Sequence, residues 1–260
     1  MVAHYYTRHQ RFDLGYMIEL TRKRIIVSIA NVVHAWLSYL YEVSNTEHLT
    51  AESSICYPIT GLLERDRSVE VQMEKHHPVF GNKRVDFFWK IHEGAQTYDC
   101  YMEMKYKRHN TGIGKDIIFD LFRLSMIQME GTYKYFLLCG KEIDFKNILN
   151  NDPQAVEVKD GKVVAAQSQP EVDLDKNETI LSLNFFDEEA LKDATKIPSY
   201  TFKEGDAYFD EFIGDTTYFP VDGSIAKPKQ IKVFTRLIQP YSKELKSAVA
   251  IWEITSKISF

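Results

Sequence analysis

Apolar residues recur at intervals of three and four from Tyr16 to about Tyr41 (Ile18, Ile25, Ile29, Val32, Val33, Trp36, Leu40), the spacing of one helix face. A second helical stripe, Ile55, Ile59, Leu62 and Leu63, follows Thr50, a residue type that caps helix N-termini, and places Glu52 in the first turn. Pro58 interrupts that stripe. A proline past the first turn removes a backbone hydrogen bond, so two short helical pieces are expected there. The period then changes to two. Val69 to Lys75 alternates Val69, Val71 and Met73 with Glu70, Gln72 and Glu74, and Val85 to Ile91 and Thr97 to Tyr106 read as the next two strands. Lys115 to Met129 returns to the helical period, and Tyr133 to Cys139 is apolar enough for a strand buried on both faces. Three strands, a crossover helix and a returning strand predict an α/β fold, a mixed sheet flanked by helices.

Beyond Asn150 the pattern loosens into a polar stretch ending near Asn177, expected to be an exposed insertion. Ile231 to Leu237 and Ala248 to Thr255 are strand-like, and the last is expected to rejoin the main sheet. The organisation expected is an N-terminal helical segment (1–48) packed on a core (49–150), followed by a C-terminal elaboration (151–260) whose strands return to that core.

Strand geometry is what makes Tyr101-Met-Glu-Met-Lys-Tyr106 chemically informative. Side chains alternate across a strand, so Tyr101, Glu103 and Lys105 project to one side while Cys100, Met102 and Met104 project to the other. On the preceding strand Asp86 is expected to face away from Val85, Phe87 and Trp89, where it could converge with Glu103. Two carboxylates in contact repel. A hard cation such as Mg²⁺, which takes oxygen ligands, relieves that repulsion. Lys105 could then orient or deprotonate a water, or stabilise charge building on a phosphate. Glu52, and Glu74 on the first strand, are candidate outlying ligands. The ordinary alternative for Glu103 and Lys105 is an ion pair on a solvated face.

Asp86, then Glu103-Met104-Lys105 on a strand, with helical Glu52 upstream and a long helix downstream, resembles the PD-(D/E)xK nuclease superfamily over about residues 50 to 140. Val85 stands where the motif's proline would precede Asp86. The resemblance implies the restriction-endonuclease-like fold, Mg²⁺ or Mn²⁺ as cofactor, and hydrolysis of a phosphodiester in DNA, in a setting such as defence against foreign DNA. It implies Asp86 and Glu103, with Glu52, as metal ligands and Lys105 beside the nucleophilic water. Lys107, Arg108, Lys115 and Arg123 are candidate phosphate contacts. Arg123 could instead pair with Asp120 or Asp116 along the helix. A catalytically silent module of the same fold, binding nucleic acid or protein, is the competing expectation.

Charge and cysteine content adjust this picture. The net charge of −5 is unlike that of a typical nucleic-acid binder. It is unevenly spread: residues 1–150 carry 19 basic and 18 acidic side chains, 151–215 carry 6 and 16, and 216–260 carry 7 and 3. The acidic segment could fold over the basic rim as a polyanion mimic. Cys56, Cys100 and Cys139 lack metal or disulfide spacing and read as buried thiols. No uninterrupted apolar run of roughly 20 residues is evident, so no membrane association and a cytoplasmic location are expected. Cleaving both strands of a duplex needs two sites, which admits a homodimer.

Overall fold

The structure, a computed structural model, describes residues 6–42, 52–66, 69–93, 96–107, 114–141, 156–159, 162–165, 179–181, 199–239 and 247–260. Helix α1 (Tyr6–Glu42) and helix α2 (Glu52–Leu63) precede three antiparallel neighbours, β1 (Val69–His76), β2 (Arg84–Glu93) and β3 (Gln96–Lys107). Helix α3 (Gly114–Met126) is the crossover that brings β4 (Thr132–Lys141) parallel to β3. Short strands β5 (Val156–Lys159), β6 (Lys162–Ala165) and β7 (Thr179–Leu181) form a separate three-stranded sheet. Strand β8 (Ser199–Lys203), helix α4 (Ala207–Gly214), β9 (Gln230–Gln239) and β10 (Ser247–Ser259) complete the chain. The main sheet runs β1-β2-β3-β4-β10-β9-β8. The mixed α/β architecture and the return of the last strand are as expected. Most of the segment 151–177 lies outside the described residues.

Two apolar clusters sit on opposite faces of this sheet. On one, α1 and α2 cover Phe87, Trp89, Cys100, Met102, Met104, Leu137 and Ile251. On the other, α3 and α4 cover Phe88, Tyr101, Phe136, Leu138 and Trp252. The alternation expected for β3 therefore holds, with Met102 and Met104 on the α1 side. Strand β10 reports how far this cover extends, because it is buried from Ser247 to Ile254 and then alternates between exposed and half-buried residues to Ser259.

Three expectations are corrected. Helix α1 starts at Tyr6, ahead of the periodic stretch. Its part Thr21–Glu42 has the length and mean hydropathy (1.2) of a membrane-crossing helix, although Ile26, Ile29, Ala30, Val33 and Leu37 are buried in the α1-side cluster. Pro58 does not split α2, which is one helix of 12 residues. Ile55, Ile59 and Leu63 are buried one turn apart, and that packing outweighs the lost hydrogen bond. Finally, Val85 and Phe87 do not share a face: Val85 joins Phe88 in the α3-side cluster while Phe87 lies on the α1 side. The pleat is interrupted at Asp86. Its register neighbour on β1, Glu74, has φ 51°, and the ladder pairs Met73 with Phe87 and Lys75 with Val85 but skips the residues between.

Cys100 and Cys139 are buried and Cys56 is half-buried, all as free thiols. Burial pushes the Cys56 thiol up to about 12, so it is not a thiolate at neutral pH.

The C-terminal end of α3 is closed by neighbouring strands. Lys134 Nζ donates to the Ile127 carbonyl at 3.0 Å and lies 3.2 Å from Ser256 Oγ, which itself donates to the Ser125 carbonyl at 3.0 Å. Burial lowers the Lys134 pKa to about 8, against about 10.4 for an unfolded lysine. Between those values the unfolded chain binds the proton that the folded chain has released, so stability rises as pH rises from 8 to 10. Urea denaturation across that range should show a gain of up to about 3 kcal/mol, and Lys134→Met should flatten it.

Candidate metal-binding site

The site is built where two strands part. β2 and β3 pair from Glu93↔Gln96 to Phe87↔Met102, and the ladder goes no further. The N–H groups of Met104 and Tyr106, two residues apart and hence on one edge of β3, then need other acceptors. Asp86 Oδ2 accepts the Met104 N–H at 2.7 Å, and Glu52 Oε1 accepts that of Tyr106 at 3.1 Å. The two carboxylates thus stand in for the missing strand, which explains their approach to the Glu-x-Lys strand from two different elements.

Glu103 and Lys105 project towards α3, where Asp120 and Arg123 meet them. Arg123 donates from Nε to Glu103 Oε1 at 3.1 Å, and its Nη2 lies 2.9 Å from the same oxygen and 2.5 Å from Asp120 Oδ1. Lys105 Nζ lies 3.0 Å from Asp120 Oδ2. Tyr218, between α4 and β9, lies close enough to the guanidinium for its hydroxyl to favour the arginine charge. Glu103 is fully buried, and its second oxygen, Oε2, has no hydrogen-bond partner. An orphan carboxylate oxygen in a low-dielectric interior is costly, and a bound cation would remove the cost.

Electrostatics point the same way. Four carboxylates (Glu52, Asp86, Glu103, Asp120) face two cations (Lys105, Arg123). Burial, with Asp120 adding repulsion, raises the Asp86 pKa to about 6. Burial and then Asp120 push Glu103 well above the usual carboxylate range, and burial raises Asp120 as well. Burial opposes the Lys105 charge, but Asp120 and Glu52 outweigh it and its pKa rises. Lys105 is therefore an ammonium throughout the neutral range. The all-oxygen donors, the excess negative charge and the orphan Oε2 fit a divalent cation such as Mg²⁺. Among the described residues no group of three Asp, Glu, His or Cys side chains is placed so that it could hold a metal ion.

The other expected residues are placed as follows. Arg123 makes the i, i+3 pair with Asp120, directed inward and not onto a solvated surface. Lys115 is outside the site, paired at 2.5 Å with Glu211 of α4. Lys107 ends β3, its side chain lying outside the described residues, as does Arg108 entirely. Glu74 is exposed on the edge strand β1. No family model, curated protein or solved structure matches the chain.

Asp120, His77 and Tyr218 belong to the site and were not legible as such. His77 follows β1 in the β1–β2 turn and is buried. Its Nδ1 accepts the N–H groups of Val79 and Phe80 at 3.1 Å each, which fixes the proton on Nε2, 2.9 Å from the Arg123 carbonyl. Burial lowers its pKa to about 4. Neutral His77 therefore fastens the β1–β2 turn to α3 at Arg123, and its contribution is lost as pH falls from about 6.5, the unfolded value, through 4. His77→Ala strands three backbone groups, and urea denaturation at pH 7 should show a loss of roughly 3 kcal/mol.

Proposed function

We propose that the chain is a divalent-metal-dependent phosphodiesterase acting on DNA, an endonuclease of the restriction-endonuclease-like fold. The observation that carries this reading is the buried carboxylate cluster with one orphan oxygen, beside a lysine held as an ammonium, at the parting of β2 and β3. A structural ion pair does not need a fourth acid or an unpartnered oxygen.

Asp86 and Glu103 would hold the ion, with Glu52 as an outlying ligand. A bound Mg²⁺ or Mn²⁺ would supply Lewis-acid polarisation of a phosphoryl oxygen and charge neutralisation. The chain's own residues divide the remaining work. Arg123, through Oε1, fixes the rotamer of Glu103 and leaves Oε2 free. Asp120 anchors Lys105 and keeps it protonated. Of the roles considered for Lys105, an ammonium can orient the attacking water and stabilise a phosphorane-like oxygen, but it cannot take the water's proton. The Lys105 side chain is 18% exposed, so it is not sealed from a phosphate. A duplex cutter would work as a pair of such chains.

A second reading rests on a different observation. Lys105, Asp120, Arg123 and Glu103 already neutralise one another in a connected set, as a silent binding module of the same fold would retain them.

Plasmid DNA with Mg²⁺ or Mn²⁺ separates the two. Cleavage is expected, lost at least about a hundredfold in Glu103→Gln and Lys105→Ala; no cleavage by wild type with either ion would leave the silent module. A second measurement is independent of turnover. Mg²⁺ should raise the melting temperature more at pH 8 than at pH 5, because protonation of Asp86 below about 6 competes with the ion. Asp86→Asn should abolish that shift.

A further inference from the structure

A second charged surface lies on the opposite side of the sheet, where α1 no longer covers β10. Lys232 of β9 stands directly opposite Lys257 of β10, and Phe234 opposite Thr255. Like charges facing each other across a strand pair are destabilising, and both ammonium groups sit over one ring, 5.3 and 6.0 Å from the centre of Phe234. Thr255 and Lys257 are exposed, and so are Thr201 and Lys203 on the adjoining strand β8. The acid on this face of the three strands is Glu253, and its oxygens are already taken by Arg22 and Arg236. No carboxylate from these strands is left for Lys203, Lys232 or Lys257.

We propose that this face binds single-stranded nucleic acid, with a base stacked on Phe234 and phosphates against Lys232, Lys257 and Lys203. A polyanion removes the Lys232–Lys257 repulsion that the fold otherwise tolerates. A sheet face carrying an accessible ring offers stacking only to an unpaired base, since duplex bases present no free faces. Phe234 is half-buried, suited to stacking and not to insertion into lipid. The proposal does not rest on hydrolysis: the surface is remote from Glu103 and its binding needs no metal.

The test uses the full chain with Glu103→Gln in EDTA, so that nothing is cut, and a fluorescent thymidine oligonucleotide read by anisotropy over a salt series. Lys257→Glu should weaken binding about tenfold while raising the melting temperature, because the repulsive pair becomes an attractive one. That opposition of signs separates a lost contact from a damaged fold. Lys232→Ala with Lys257→Ala should reduce the salt slope by about 1.4, two phosphate contacts on a single strand. Phe234→Ala should weaken binding roughly tenfold or more. Absence of oligonucleotide binding, affinity unchanged in the lysine variants, or unchanged affinity in Phe234→Ala would each overturn the proposal. So would loss, in these variants, of binding to anionic phosphatidylserine vesicles with oligonucleotide binding intact. Failure of metal-dependent cleavage by the wild-type chain would bear on the nuclease reading alone.

Discussion

Where β2 leaves β3, two backbone N–H groups would be buried without acceptors, and the carboxylates of Asp86 and Glu52 take the place of the missing strand. The rest of the site depends on that substitution. A carboxylate recruited to satisfy a backbone amide must itself be desolvated, and it then lies within the field of Glu103 and Asp120. With Lys105 and Arg123 as the only cations in the set, negative charge exceeds positive, and burial raises the pKa of Asp86, Glu103 and Asp120 together. Stability alone would be served as well by apolar side chains of similar volume, which often equal or exceed buried ion networks. Retaining four acids, one with an unpartnered oxygen, makes better sense as readiness for a cation.

The network is also what joins distant parts of the chain. Arg123 is held at its carbonyl by His77 from the β1–β2 turn, and its guanidinium lies in the field of Tyr218 from beyond α4. Asn82 of the same turn donates to the Thr217 carbonyl at 2.7 Å. The C-terminal region is therefore no appendage to a self-contained core. β10 lies between β4 and β9 in one continuous sheet, and the segment following α4 is tied to the β1–β2 turn through Thr217.

Much of this was legible from the chain because two periods carried it. The alternation in Tyr101 to Tyr106 fixed which side chains were greasy and which faced α3, and the helical stripe after Lys115 supplied the crossover. The pleat interruption at Asp86 was not legible, since strict alternation is the rule from which it departs, and its correlate, the left-handed Glu74, carries no glycine to announce it. Asp120 and Arg123 could be read as an i, i+3 pair, but spacing along a helix does not say whether the pair points to water or to a neighbouring strand. His77 and Tyr218 depend on strand order, which brings residues remote in sequence against one helix turn. Pro58 misled because local propensity yields to three buried residues one turn apart.

One sheet thus presents opposite electrostatic characters on its two sides. The buried acidic cluster lies between β3 and α3, and the lysine face on the α1 side where the helix cover over β10 ends. Net charge averages these away, and the value of −5 conceals both. At physiological ionic strength fields decay over about 8 Å, so an approaching polyanion responds to the nearest surface and not to the molecular total. The lysine face then attracts it locally despite the overall sign, while the carboxylates repel it until a cation intervenes. A metal bound between Asp86 and Glu103 would do more than assist chemistry. It would convert a cluster that rejects phosphate into one that accepts it.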